Sequence, residues 1–222
     1  MTYGKLVISG LAMVAATALC FDAGPLLAIV GADKMPADVG PFTITFLTGT
    51  FPATITLGAN YTGPDNAALA EYDPGDGTWR TYTDKTITRL GSYIAFRGDW
   101  RTSAGTYNSM FRDALKSAAY TCEFSGAFTA YPSHAYAYAQ MFRDCTAVTG
   151  IRDNPVPVLT GAPAQAMFQQ MCYGMSGVTG PLPAGFADTS GLTGAPAERM
   201  FARVCEGMSG VTGPLPAGFA NT

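Results

Sequence analysis

The sequence predicts an α+β protein, a small β-sandwich followed by an α/β solenoid of short helices and extended Pro/Gly-rich returns. Three observations carry this. Residues 172–187 read CYGMSGVTGPLPAGFA and residues 205–220 read CEGMSGVTGPLPAGFA, matching at fifteen of sixteen positions with an offset of 33. Near-identity at a fixed offset marks stacked copies of one small unit, an array with a broad surface instead of a single cleft. Met-Phe pairs recur at Met110, Met141, Met167 and Met200, separated by 31, 26 and 33 residues. Residues 42–98 carry short alternating runs punctuated by turn residues, the pattern of a sandwich.

Residues 1–41 form an N-terminal segment with two readings. Leu6–Leu19 is apolar, follows Lys5 and precedes the small residues Ala16-Thr17-Ala18, which suits a secretory signal. The apolar character resumes after Asp22 at Pro25–Val30, which suits a strand-rich lead-in, and the interruption leaves no expected membrane span.

Residues 42–99 read as the sandwich. Phe42–Phe46 and Thr54–Leu57 alternate with period two, with Gly49 and Pro52 between them. Asp73-Pro74-Gly75-Asp76-Gly77 is a turn cluster between Ala68–Tyr72 and Thr78–Tyr82, so a hairpin is expected there. Thr86–Arg89 and Tyr93–Phe96 add two strands. Phe42, Phe46, Ile55, Leu57, Trp79, Ile87, Ile94 and Phe96 are the expected inner face.

Residues 100–222 read as the repeat array. Met167, Met171 and Met175 lie at i, i+4, i+8, as do Met200, Val204 and Met208, and Phe168 with Cys172 and Phe201 with Cys205 add second rows. These rows predict one apolar stripe on a helix of about three turns. Pro163 and Pro196 fit a first helical turn, and Gly174 and Gly207 fit its left-handed end. In the return Val178–Pro183, Pro181 and Pro183 both remove N–H groups from one side of the chain, so pairing is expected only near Val178 and Thr179. Leu182, Phe186 and Leu192 are expected to turn inward.

Composition narrows function. Only 13% of residues are charged and the net charge is −3, with no basic run. Nucleic-acid binding is not expected. The five cysteines include no Cys-x-x-Cys pair, and the only histidine is His134. Buried thiols acting as small hydrophobes are expected. A zinc site needs more ligands close together, and nucleophilic catalysis needs a base that a lone loop histidine does not supply. Asp73 and Asp76 fit a hairpin turn better than a calcium loop. No enzyme activity, metal or cofactor is expected.

The recurring Met-Phe-x-x-Cys or Met-Phe-x-x-x-Cys segment followed by Val-Thr and a proline-containing return, clearest at 141–149, 167–179 and 200–212, resembles the BspA-like leucine-rich repeats of bacterial surface proteins. The preceding β module, with Tyr72–Tyr82 and Tyr93–Gly98, resembles the sandwich that often precedes such repeats, and the pairing is also similar to pieces of phage tail adhesins. The regular leucine frame and inward asparagine row are missing. The resemblance implies a right-handed, leucine-rich-repeat-like solenoid and a non-catalytic role in attachment, on a bacterial cell surface or secreted, with a host or bacterial surface protein or glycan as partner. The alternative is a structural or receptor-binding phage tail component, expected to be a homo-oligomer. The last unit stops at Asn221-Thr222 with no polar cap, so the natural chain is expected to continue.

Flat rings with few rotamers are the best contact candidates. These are Trp100, Tyr107, Tyr131, Tyr136 and Tyr138, whose other reading is filler between sandwich and repeats. Tyr173, which differs from its repeat counterpart Glu206, joins them, since positions that vary between units are free to serve specificity.

Overall fold

The computed structural model describes residues 41–128, 134–156, 159–216 and 218–219. All of them fall in one compact unit, residues 40–222. The N-terminal signal or lead-in lies outside the described residues.

Six β-branched or aromatic-rich runs form strands in the first half: β1 (Phe42–Phe46), β2 (Ala53–Thr56), β3 (Ala70–Asp73), β4 (Arg80–Thr81), β5 (Thr86–Arg89) and β6 (Tyr93–Gly98). Four short ones follow: β7 (Cys122–Ser125), β8 (Val148–Ile151), β9 (Thr179–Gly180) and β10 (Gly210–Val211). One six-stranded sheet runs β4-β3-β6-β1-β7-β8, while β2 pairs with β5 and β9 with β10. The hairpin at Asp73–Gly77 is closed by the Asp73 carboxylate, whose Oδ1 accepts from the N–H groups of Gly75, Asp76 and Gly77.

Alternation sets the faces. Phe42, Ile44 and Phe46 of β1 sit opposite Phe96 and Ile94 of β6 and Phe124 and Cys122 of β7, and all are buried. Phe42 is the hub. Its ring packs on those of Phe128 at 4.4 Å, Phe124 at 5.3 Å, Phe111 at 5.4 Å and Phe142 at 5.7 Å. One sheet and one hydrophobic core therefore extend across residue 99. Of the expected inner-face residues only Trp79 is not buried; it lies under the Arg97 guanidinium at 4.2 Å.

The expected α+β class is overturned. Among the described residues there is no α-helix, only a three-residue 3₁₀ turn at Ala67–Leu69, and no closed solenoid. The Met-Phe segments are chains of turns. In 136–145 the N–H groups of Ala137, Ala139, Met141, Arg143 and Cys145 donate three residues back, to His134, Tyr136, Tyr138, Gln140 and Phe142. The intervening N–H groups leave the segment. Those of Tyr136, Tyr138, Gln140, Phe142 and Asp144 donate to Gln165, Met167, Gln169, Met171 and Tyr173 of the next segment at 2.8–3.0 Å. A helix would keep every N–H inside and leave none to join neighbours.

This geometry needs a left-handed residue every fourth position. Ser109 and Asp113, then Tyr136, Gln140 and Asp144, then Ala166, Gln170 and Gly174, then Arg199, Arg203 and Gly207 all have φ between 51° and 87°. Each non-glycine residue there costs about 1–2 kcal/mol. A net gain of about 1 kcal/mol per added hydrogen bond offsets part of it, and side-chain stacking adds the rest.

The stacking is in register. The rings of Tyr107, Tyr138, Phe168 and Phe201 lie face to face at 5.5, 5.8 and 5.6 Å, with interplanar angles of 9–10°. Phe111 and Phe142 form a parallel stack at 5.7 Å. Equivalent positions are thus 31, 30 and 33 residues apart, not 31, 26 and 33. Met-Phe occupies two different places in the segment, with Met141-Phe142 standing above Met171-Cys172.

After each turn segment comes a short strand. β7 and β8 pair in parallel, as do the two-residue strands β9 and β10, of which β9 ends directly before Pro181 and β10 ends three positions before Pro214. Gly177 explains one repeated glycine, because a Cβ there would lie 2.3 Å from the Thr146 carbonyl oxygen. The apolar residues of the first complete return, Leu182 and Phe186, are buried, as is Leu192.

Candidate binding face

Stacking places like positions in columns on the flank of the array. Several residues with left-handed backbone carry their side chains at the surface, whereas Ser109 and Ala166 are buried. Ser109, Gln140, Gln170 and Arg203 make one column. Arg112, Arg143, Tyr173 and Glu206 make the adjacent one, each following a residue of the inner Phe111–Phe142–Cys172–Cys205 column, buried at its first three positions and half-buried at Cys205.

The two columns are tied together. Arg112 Nη1 donates to Gln140 Oε1 at 2.7 Å, and Gln140 Nε2 donates to Gln170 Oε1 at 3.1 Å. Arg143 Nη1 donates to the same Gln170 oxygen at 3.0 Å. The Arg143 and Arg203 guanidinium carbons lie 5.0 and 4.9 Å from the centre of the Tyr173 ring, within cation–π range. Arg203 holds Glu206 by two bonds, Nε to Oε2 at 2.6 Å and Nη2 to Oε1 at 2.7 Å. That pair lowers the Glu206 carboxyl and raises the guanidinium, chiefly through the hydrogen bond between them. The result is a half-exposed row of guanidinium, amide, phenol and carboxylate groups whose rotamers are already fixed.

The aromatic candidates separate. Trp100 is fully buried, its indole N–H donating to the Arg97 carbonyl at 2.9 Å. Tyr107 and Tyr138 are rungs of the inner ring stack and face no solvent. Tyr131 lies outside the described residues. Tyr136 is 41% exposed but sits at the far end of the turn segment from Tyr173. Of the five described candidates, Tyr173 alone belongs to the row. Arg112, Gln140, Arg143, Gln170, Arg203 and Glu206 were missed. The signal available was their three-residue spacing, Gln140 with Arg143, Gln170 with Tyr173 and Arg203 with Glu206, recurring at offsets of 30 and 33 beside the Met-Phe stripe.

Other chemistry is held back by burial. Cys122, Cys145 and Cys172 are buried, and desolvation raises each thiol, that of Cys122 to about 12. Thiols so shifted are poor nucleophiles near neutral pH. The His134 ring is exposed, with Nδ1 2.8 Å from the Ala135 carbonyl oxygen. Asp65, Asp99, Arg101, Thr102, Ser103 and Gly105 line a shallow polar depression, where Arg101 pairs with Asp99 at 2.8 Å. Among the described residues no three His, Cys, Asp or Glu side chains are grouped to hold a metal, and no helix is long and apolar enough to cross a membrane.

No protein-family model matches this chain, and no curated protein or solved structure matches it either.

Proposed function

We propose that this chain is a non-enzymatic attachment protein of a bacterial cell surface or secretion, which presents the flank of its stacked turn segments to a protein or glycan. The observation that carries the reading is the preorganised row around Tyr173. Fixed guanidinium, amide and ring groups lose little side-chain entropy on binding, and such planar groups suit sugar hydroxyls or peptide amides. The variation at this column favours recognition, since it passes from arginine at Arg112 and Arg143 to Tyr173 and then Glu206, while the inner residues are held to aromatic or sulfur side chains by stacking. The resemblance of the Met-Phe repeats to BspA-like surface repeats points the same way.

The test is attachment of the purified chain to glycan arrays and bacterial or host cells, with Tyr173→Ala and Arg143→Ala beside the parent. We expect binding to fall about tenfold or more, as for a central contact, with the melting temperature within about 3 °C of the parent. Unchanged binding by both variants rejects this face.

A further inference from the structure

Eight of the nine arginines keep their side chains at the surface, each within 3.6 Å of an Asp or Glu oxygen. The ninth, Arg89, is 1% exposed and pairs with no carboxylate among the described residues. Alternation along β5 puts it there. Arg89 shares the buried face of the strand with Ile87, so its side chain runs inward to Phe46 at the end of β1. The guanidinium carbon lies 4.1 Å from the centre of the Phe46 ring and 5.6 Å from that of Phe51. Rings offset part of the burial of a cation, but a buried charge without a counter-charge stays costly. Its hydrogen bonding is incomplete too. Nη2 donates to the Thr50 carbonyl at 2.6 Å, and the buried Nε has no acceptor. Arg101 and Arg203 show what this edge of a guanidinium takes when it is filled. There Nε and Nη2 donate together to one carboxylate, that of Asp99 or Glu206. At Arg89 the Thr50 carbonyl supplies one oxygen where the fork takes two.

The cover over this cation is thin. Residues 47–52 link β1 to β2 without regular structure, and all six are exposed. We propose that Arg89 is a binding site for a carboxylate carried on an apolar stem, a fatty-acid-like ligand that takes the Nε–Nη2 edge when the loop of residues 47–52 lifts the Thr50 carbonyl away. The missing counter-charge sets the sign of the ligand, and the planar fork sets its shape, two oxygens side by side. The surroundings set the rest. The guanidinium is flanked by the rings of Phe46 and Phe51. Leu47 and Phe51 of the loop, and Leu90 directly after Arg89, are three of the six large apolar side chains that are exposed among the described residues. Thr48 of the loop is already engaged, its hydroxyl accepting from the Thr121 N–H at 2.9 Å. One charged fork among apolar groups suits an apolar ligand with a single polar end. The site lies on the β-sheet half of the molecule, shares no residue with the row around Tyr173, and does not rest on the attachment reading.

The test uses the full chain and decanoate, kept below its micelle concentration, as probe. The readout is the magnetic resonance signal of the Arg89 Nε–H, recognised by its proximity to the Phe46 ring protons. Decanol and acetate, which separate the stem from the carboxylate, are the controls. We expect decanoate to shift the signal saturably, with an apparent affinity about tenfold or more above that of acetate, and decanol to leave it in place. Decanoate should also raise the melting temperature of the parent and leave that of Arg89→Met unchanged. Arg89→Met alone should melt no lower than the parent, since it removes a buried charge that has no partner. If that variant does not fold, the titration of the parent decides. The proposal is overturned if decanoate leaves the signal in place, or if decanol or acetate moves it equally well. It is also overturned if the signal moves without ligand in the joint variant Asp22→Asn, Asp33→Asn and Asp38→Asn, which would make carboxylates of the chain's own N-terminal segment the counter-charge.

Discussion

At the scale of single residues, neighbours in sequence have opposite fates. Tyr138 is a rung of the inner ring stack, between Tyr107 and Phe168, while Tyr136 two positions earlier is exposed. Replacing Tyr138 by Ala removes two ring contacts and opens a cavity, so chemical denaturation should show a loss of about 3–5 kcal/mol. Tyr136→Ala at the surface should change stability by less than about 1 kcal/mol. Equal effects would contradict the assigned stacking. Cys205 offers a second reading. Burial pushes its thiol up to about 11, and its thiolate fraction therefore grows about tenfold per pH unit through the mildly alkaline range. Its alkylation rate should rise accordingly between pH 8 and pH 10 without levelling, and should exceed that of buried Cys172 throughout. A plateau below pH 9 would show an ordinary exposed thiol.

At the scale of elements, the turn segments rest on left-handed residues. Arg199 has φ of 56° and an exposed side chain, so it isolates the backbone term. Arg199→Gly should leave stability equal or slightly higher, while Arg199→Val should lower it by about 1–2 kcal/mol, read as the difference between two melting curves. In a helix the order would reverse, because glycine is the worse helix former of the two. The strands were legible because period-two alternation and the Asp73–Gly77 turn are local signals, and β1, β3, β5 and β6 lie where these signals put them. The turn segments were not. Their buried residues come as adjacent pairs every four positions, Met167-Phe168 and Met171-Cys172 before Met175, and this satisfies the i, i+3, i+4 rule of a helix just as well. What separates the two is the destination of alternate N–H groups, a long-range matter that no local pattern records. The Asp113, Asp144, Gly174, Gly207 column was a faint sign, since aspartate and glycine tolerate left-handed backbone best.

At the scale of the whole molecule, one core joins the six-stranded sheet to the stacked segments, with β1 pairing on β6 at one side and β7 at the other. Repetition and inward burial of the Met-Phe stripe were readable from the sequence. The row around Tyr173 was not, because it exists only when Gln140, Arg143, Gln170, Tyr173 and Arg203 are brought side by side from three segments. The flank depends on a single arrangement, turn segments joined by forward-pointing N–H groups. Residue-resolved amide hydrogen exchange tests it most directly. Phe168, Gln170 and Cys172 should be strongly protected, while Phe201, Arg203 and Cys205 exchange rapidly beside slower Met200, Ala202 and Val204. Uniform protection from Met200 through Cys205 would instead mean a helix, and would contradict this account.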